Sequence, residues 1–315
     1  MAEQYVNTLK PGDPFRDWLV EVLGDRVHNP ACRVRVYRIS PASHTVCRYA
    51  FSGEKFSVVG KFFGEPTGVM RHYNEEKAMR NEYQRLKQAS MVIHVPRPIT
   101  CRGNFHNVVI TDYIKGVALR KYLRHEHHLY DRLSSVAALL RRLHDGTRGP
   151  CNIQREFGQF HKVLDQNRLD ADQREQFNHL LGGWWDAGLL HGFHGSLIHG
   201  DATPANYIHV DGKVYAIDFE NGLRNAHPIH DLGVLSAEMK HFFASRFDDG
   251  ERSEPYIGHL LWRYSRGEDD FYKITDVLPF FIAFGYMRIA RLGWAPSHRE
   301  YLIGEAKACL RSRLT

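Results

Sequence analysis

The sequence has few cysteines and no paired cysteine motif. Its 315 residues include five cysteines, none of them in a Cys-x-x-Cys arrangement. They are Cys32, Cys47, Cys101, Cys151 and Cys309. An odd number of isolated cysteines indicates free thiols in a reducing compartment rather than a disulfide framework. We therefore expect a cytoplasmic protein.

Long apolar runs and a basic surface pattern are also missing. The longest apolar block, residues 277–287, contains Pro279, and the N-terminal residues lack the basic segment and apolar core of a secretory signal. Lys and Arg number 42 against 36 acidic residues, and they are scattered rather than gathered in a stripe with aromatics. With 43% hydrophobic and 25% charged residues, we expect a soluble globular protein with no membrane span and no nucleic-acid partner.

One stretch carries residues suited to phosphoryl transfer. It reads His199-x-Asp201-x-x-x-x-Asn206 and continues, after an Asp-Gly turn, to Asp218. Phosphoryl transfer from ATP needs a carboxylate that orients the attacking hydroxyl, and oxygen ligands that hold Mg²⁺ on the phosphates. Asp201 is our candidate for the first role, and Asn206 and Asp218 for the second.

The spacing of these residues predicts a local structure that brings them together. Residues 207–210 and 214–217 are rich in β-formers and flank Asp211-Gly212, a pair typical of a two-residue hairpin turn. Such a hairpin would carry Asp218 back toward Asn206. We therefore predict that both oxygen ligands converge on one metal site.

The same residues resemble a known family of kinases. His199-Gly200-Asp201, Asn206 and Ile217-Asp218-Phe219-Glu220 resemble the catalytic and metal loops of the aminoglycoside phosphotransferase and choline kinase family, in which His-Gly-Asp replaces the His-Arg-Asp of most protein kinases. Residues 227–233 resemble the Asp-Leu segment that braces the catalytic loop. The resemblance covers about residues 33–310 and implies ATP and Mg²⁺ as cofactors, with His199 and Asp231 supporting the loop.

The N-terminal third shows the strand pattern that a small kinase lobe requires. Residues 33–39, 45–51 and 56–63 alternate or run apolar, and turn signals separate them. In a kinase-like lobe the first connecting loop covers the ATP phosphates, yet residues 40–44 contain no glycine. Ser43 is a candidate donor to the nucleotide, together with Ser40 and His44. The alternative is that these residues only turn the hairpin.

Lys61 occupies the position of the phosphate-binding lysine. The run Val58-Val59-Gly60-Lys61 resembles the Val-Ala-Ile-Lys of the third kinase strand. Because side chains alternate along a strand, Val59 shares a face with Lys61 and would lie against the adenine. In the helix predicted for residues 74–90, Glu82 is the candidate partner of Lys61, and the two glutamates at positions 75 and 76 are the alternatives.

The remaining pattern predicts an α+β, two-lobed protein-kinase-like fold. We expect an ATP-binding lobe at residues 1–112, with an antiparallel sheet plus a helix, and a mostly helical catalytic and substrate-binding lobe at residues 113–315. Residues 1–30 are predicted to form a helical extension, in which a polar tail precedes a helix that begins after Asp13 and ends at Gly24. A hinge that contacts adenine is expected near residues 112–116.

Two features indicate a small acceptor rather than a protein. About 50 residues with helical spacing separate the helix that ends near His144 from the catalytic loop, where protein kinases have almost none. Only 12 residues lie between Asp218 and Asp231, which leaves little room for a peptide-docking segment. We therefore predict transfer of the ATP γ-phosphate to a hydroxyl of an aminoglycoside-, choline- or sugar-like compound.

Three alternative functions remain open at this stage. The basic charge would suit a kinase that acts on a sugar of a lipopolysaccharide core, and an atypical protein kinase is a further possibility. From a different class, the glycine-free first loop would fit a pseudokinase that binds nucleotide and a partner without turnover. The intact motif residues argue against the pseudokinase.

Overall fold

The structure, a computed structural model, describes residues 2–64 and 74–314. Its backbone divides into two compact units. The first comprises Met1–Lys115 together with Ile217–Glu220, and the second comprises Gly116–Ala216 and Asn221–Thr315. The continuous N-terminal part of the first unit ends at Lys115, whereas the sequence analysis placed the lobe boundary after residue 112. The segment that carries Asp218 belongs to the first unit although it is distant in sequence.

The first unit is built on a six-stranded antiparallel sheet with the strand order β1-β2-β3-β4-β6-β5. Its strands are β1 (Ala2–Leu9), β2 (Val34–Ser40), β3 (Thr45–Phe51), β4 (Ser57–Phe62), β5 (Pro98–Arg102) and β6 (Val108–Asp112). The three strands predicted from alternation correspond to β2, β3 and β4. Buried residues on one face of the sheet form the core with Trp18 and Leu19.

Two α-helices in the described part of this unit accompany the sheet. The helix α1 (Pro14–Leu23) begins where predicted, because Asp13 accepts hydrogen bonds from the backbone of residues 15 and 16 and Pro14 takes the first position. It ends at Gly24, whose φ of 51° lies in the left-handed region. The helix α2 (Glu75–Ala89) is capped by Asn74, and Met79 and Leu86 are buried.

The polar tail predicted for the N-terminus is wrong. Residues 2–9 form β1, which pairs antiparallel with β2 at the edge of the sheet. Glu3 accepts hydrogen bonds from Arg48 at 2.7 Å and from the Tyr113 hydroxyl at 2.8 Å. The side chains of residues 3–7 are exposed, so no alternation of apolar residues marked this strand. Backbone pairing with the free edge of β2 is what orders it.

The second unit is mostly helical. Its elements are β7 (Val117–Ala118), α3 (Leu119–His125), α4 (Leu129–Gly146), α5 (Ile153–Gln166), α6 (Ala171–Asp186), β8 (Ser196–Ile198), β9 (Tyr207–Val210), β10 (Lys213–Ala216), β11 (Leu223–Ala226), α7 (Ile229–Phe247), α8 (Glu254–Tyr264), α9 (Glu268–Ala290) and α10 (Pro296–Arg311). Short 3₁₀ turns precede α8 and β9. The predicted helical insertion before the catalytic loop is confirmed as α5 and α6.

The predicted hairpin is also present. Lys213 pairs with Val210, so β9 and β10 are joined by two residues, Asp211 and Gly212. Both have positive φ, 45° and 77°, as a type I′ turn requires. The strand β9 also pairs with β7, which makes a three-stranded sheet. A separate antiparallel pair is formed by β8, which directly precedes the catalytic loop (residues 199–206), and β11, which follows the hairpin.

Glycines allow α7 and α9 to pack very closely. A Cβ on Gly233 would lie 2.2 Å from Cβ of Phe281, and one on Gly285 would lie 2.5 Å from Cβ of Ala237. The acidic residues 268–270 form the first turn of α9, where negative charge is favourable. Asp270 pairs with Arg141 at 3.0 Å. The close approach of α7 and α9 fixes the positions of functional side chains that both helices carry.

Across the described ranges, no helix is both long enough and apolar enough to span a membrane.

Candidate active site

In the first unit, Lys61 is surrounded by carboxylates. Its Nζ lies 2.6 Å from Oδ1 of Asp218, 2.9 Å from Oε2 of Glu220 and 3.7 Å from Oε2 of Glu82. The lysine projects from the centre of the sheet, because β4 is paired on both sides, with β3 and with β6. Only 12% of its side chain is exposed. The structure thus brings Lys61 together with Glu82, its predicted partner, and also with Asp218.

The charges in this cluster depend on one another. Burial alone would lower the pKa of Lys61, but Asp218, Glu82 and Glu220 raise it above its ordinary value. Burial raises the pKa of Glu82, and the attraction of Lys61 only partly offsets that effect. Burial would also raise the pKa of Glu220, yet the hydrogen bond from His44 and the charge of Lys61 lower it to about 2. Lys61 therefore stays charged.

The structure distinguishes among the three glutamates considered as partners of Lys61. Glu82 is 3% exposed and faces the lysine. Glu75 accepts a hydrogen bond from Asn107 at 2.7 Å, and Glu76 pairs with Arg80 on the helix surface at 2.6 Å. Glu82 alone among them lies at the lysine.

The sequence analysis gave Glu220 no role of its own, and it offered His44 only as a donor to the nucleotide. Glu220 joins Lys61 to His44, whose Nε2 lies 2.8 Å from the Glu220 carboxylate. The His44 imidazole is buried and packs against Phe63 with ring centroids 4.6 Å apart. Ser43 is exposed at the loop between β2 and β3, and Val59 is half-buried on β4. Their nucleotide contacts remain predictions.

The backbone at Asp218 is unusual. Its φ is 67°, in the left-handed region that most side chains avoid and that Asp and Asn tolerate best. Local strain of this kind clusters at functional sites because the surrounding structure holds it in place. Here the conformation turns the Asp218 carboxylate to Lys61.

In the second unit, the catalytic loop follows β8 and holds Asp201 and Asn206 side by side. The amide nitrogen of Asn206 donates to the Asp201 backbone oxygen at 2.9 Å and to its Oδ2 at 3.2 Å. The backbone of Thr203 also donates to the Asp201 carbonyl, at 2.7 Å, and Pro204 begins the 3₁₀ turn that ends at Asn206. Since its nitrogen is used by Asp201, Asn206 has its carbonyl oxygen to offer a cation.

Asp231 supports this loop through the backbone. Its two carboxylate oxygens accept hydrogen bonds from the backbone N–H of His199 at 2.7 Å and of Gly200 at 2.9 Å. The His144 imidazole lies 3.1 Å from the same carboxylate and 2.8 Å from the Tyr264 hydroxyl. Burial would raise the pKa of Asp231, but its hydrogen bond with His144 and the charges of nearby histidines hold it below the ordinary value.

Gly200 is required at the centre of that support. Its φ is 74°, and a Cβ would lie 2.1 Å from the backbone oxygen of Asn221. A larger residue would therefore displace the loop from Asp231. His199 and Asp231 are both fully buried, and their supporting role in catalysis stays a prediction.

We expect Asp231→Asn to destabilise the protein by about 3 kcal/mol, because an amide turns its NH₂ toward a backbone N–H and leaves buried donors unpaired. Denaturant unfolding would measure the change. Asp276→Asn is the matched control, since Asp276 is exposed on α9 and pairs with Arg313 at 2.9 Å. That variant should stay within about 0.5 kcal/mol of wild type. Equal stability of both variants would contradict the role given to Asp231.

Arg288 was missed by the sequence analysis as a site residue. It lies on α9, its Nη1 donates to the Gly200 carbonyl at 3.0 Å, and its Nη2 donates to Oδ1 of Asp201. The signal was a single arginine inside an apolar helical run, because a charge among buried residues needs a partner. Nearby on α7, burial raises the pKa of Glu238 to about 7, while Arg288 acts to lower it.

The residues present suit the Mg²⁺ that the resemblance implies. In the first unit three carboxylates share one ammonium, so the cluster has an excess of negative charge that a divalent cation would offset. Mg²⁺ in kinases is held by one or two side-chain oxygens together with the substrate phosphates. Asp218 lies in the first unit and Asn206 in the second. Their convergence on one ion stays a prediction.

Comparison with known proteins identifies the fold. An amicoumacin kinase solved with AMP-PNP and Ca²⁺ is 15% identical, with a TM-score of 0.61 over 89% of each chain. An ethanolamine kinase from Plasmodium vivax is 13% identical, with a TM-score of 0.60 over 90% of this chain and 82% of that one. A putative fructosamine-3-kinase from Thermobifida fusca is 14% identical, with a TM-score of 0.59 over 89% and 93%.

These likenesses confirm the predicted two-lobed, kinase-like α+β fold. No curated protein sequence gives a significant match. The model of the phosphotransferase enzyme family, APH, matches residues 54–263, which include the lysine strand, the catalytic loop and Asp231. The match covers about two thirds of the sequence, and the chain therefore belongs to this phosphotransferase family.

Proposed function

We propose that the protein transfers the γ-phosphate of ATP to a hydroxyl group of a small molecule. The observation that carries the proposal is the environment of Lys61, whose ammonium contacts both Glu82 and Asp218. An ammonium held by a helix glutamate and beside a metal-binding aspartate is the arrangement that grips the phosphates of ATP in kinases. Membership of the phosphotransferase family supports the same reaction.

On the donor side, each residue has a separate role. Lys61 binds the α- and β-phosphates, and Glu82 holds the Lys61 ammonium in position. Val59 lies against the adenine, since it shares the face of β4 that carries Lys61, and Ser43 donates to the phosphates from the exposed first loop. Asn206 and Asp218 would hold Mg²⁺, which neutralises charge on the phosphate oxygens when it is bound.

On the acceptor side, Asp201 orients the acceptor hydroxyl and takes its proton. The hydroxyl oxygen forms a bond to the γ-phosphorus as the bond from that phosphorus to the β–γ bridging oxygen breaks, and ADP leaves. Catalysis of this kind depends mostly on positioning and electrostatics. The hydrogen bonds that Asp231 accepts from His199 and Gly200 fix the backbone immediately before Asp201.

A small acceptor is supported by the inserted helices and by the relatives. The helices α5 and α6 lie where protein kinases have no insertion, and few residues separate Asp218 from Asp231. The similar structures are named as kinases of ethanolamine, amicoumacin and fructosamine. All five cysteines are free thiols, and from them we infer a reducing, cytoplasmic location, where ATP is available.

Incubation with γ-labelled ATP, Mg²⁺ and a library of hydroxyl compounds tests the function. The library should include amino alcohols, aminoglycosides, ketosamines, sugars of lipopolysaccharide cores and a generic protein substrate, with mass detection of products. We expect one class of small compounds to gain a phosphate. Labelled protein as the sole product would favour an atypical protein kinase. Mg²⁺-dependent ATP binding without any product would favour a nucleotide-binding interaction module and overturn the proposal.

A further inference from the structure

A mostly buried arginine on α9 contacts the catalytic loop, which is distant in sequence. Arg288 lies near the end of α9, between the buried residues Met287 and Ile289. Only 15% of its side chain is exposed. An arginine in such a place is retained only when its charge and its N–H groups are satisfied, and both of its terminal nitrogens are directed at the loop.

The two contacts of Arg288 lie on consecutive residues. One nitrogen donates to the carbonyl of Gly200, and the other donates to Oδ1 of Asp201. The N–H of the same Gly200 donates to Asp231. The glycine is therefore held from both sides, by a carboxylate on α7 and by a guanidinium on α9.

The carboxylate of Asp201 is also held at both oxygens. Its Oδ1 accepts from Arg288, and its Oδ2 accepts from the Asn206 amide at 3.2 Å. A guanidinium offers several donors in a fixed plane, so it restrains both the direction and the rotation of a carboxylate in a way that a lysine ammonium cannot. The side chain of Asp201 is consequently limited to one orientation.

We propose that Arg288 is a positioning residue for phosphoryl transfer, which fixes the Asp201 carboxylate and the Gly200 peptide in the orientation that receives the acceptor hydroxyl. The inference rests on the proposed function. It goes beyond that function by assigning to α9, remote in sequence from every kinase motif, a part in the chemistry. Arg288 acts through Asp201 and contributes no proton transfer of its own.

The chain provides a matched control three residues further along the same helix. Arg291 is also a partly buried arginine, but it donates to the side chain of Gln166 on α5 and makes no hydrogen bond to the catalytic loop among the described residues. Burial and the charge of Arg288 lower the pKa of Arg291. Replacing either arginine with lysine keeps the charge and removes the planar guanidinium.

The test compares Arg288→Lys, Arg288→Gln and Arg291→Lys with wild type, each alone and in an Asp201→Asn background. The readouts are kcat for ATP turnover with Mg²⁺, affinity for a fluorescently labelled AMP-PNP, and Tm. We expect both Arg288 variants to lower kcat by about 10²-fold, the lysine variant less than the glutamine variant, with unchanged nucleotide affinity. Arg291→Lys should retain wild-type kcat. In the Asp201→Asn background, changing Arg288 should have no further effect, because both changes remove the same step.

Each other outcome contradicts either the positioning role of Arg288 or the proposed function. Wild-type kcat in the Arg288 variants, or a loss of kcat that persists in full in the Asp201→Asn background, would overturn the positioning role. Loss of native structure in both Arg288 variants, with Arg291→Lys folded, would show a structural role and overturn it as well. A folded wild type with no ATP turnover against any acceptor would instead overturn the proposed function, which keeps the two failures distinct.

Discussion

Replacing Asp201 with asparagine is expected to lower ATP-dependent phosphorylation by about 10³-fold, within the range for removal of a general base. The amide has nearly the same shape as the carboxylate, so its one oxygen can still accept from Arg288, whereas the NH₂ in place of Oδ2 no longer accepts from Asn206. What is lost is the negative charge that attracts and receives the hydroxyl proton. We therefore expect kcat to fall while nucleotide affinity stays near that of wild type.

Turnover should be measured at saturating ATP with an acceptor found in the library screen, and nucleotide affinity by fluorescence titration. Asp211→Asn is the matched control. Asp211 is an exposed residue of the β9–β10 turn with φ 45°, a conformation that asparagine adopts readily. It should leave both quantities unchanged. Turnover by Asp201→Asn within a few-fold of wild type would mean that another group receives the proton.

The parts of the structure that depend on local sequence could be predicted. The β9–β10 hairpin follows from one Asp-Gly pair between β-forming runs, and the start of α1 follows from Asp13 and Pro14. Lys61 was identified because residues 58–61 resemble the lysine strand of kinases. These features need only neighbours within a few residues, so one sequence contains the information.

Contacts between distant segments could not be predicted in the same way. The strand β1 exists because β2 offers a free edge, and its own exposed side chains carry no signal. Glu220 and Arg288 find partners that lie about 160 and 87 residues away in the chain. Which carboxylate meets which cation is set by the packing of the sheet and of α7 against α9, and no spacing rule in the sequence encodes it.

Replacing Asp218 with asparagine is expected to lower turnover by about 10³-fold and to remove most of the Mg²⁺ dependence of nucleotide binding. Asparagine tolerates the left-handed backbone at this position, where φ is 67°, so the change tests the charge rather than the fold. The variant also takes one of three carboxylates from Lys61, while Glu82 and Glu220 remain to hold the ammonium.

Titration of nucleotide with and without Mg²⁺ separates this effect from a general loss of binding. For wild type we expect affinity to rise when Mg²⁺ is added, whereas Asp218→Asn should bind with similar affinity in both conditions. Without the metal, the variant should match or exceed wild type, because one negative charge facing the phosphates has been removed. Wild-type dependence on Mg²⁺ in Asp218→Asn would show that the carboxylate does not hold the ion, and the roles proposed for Asp218 and Asn206 would then fail together.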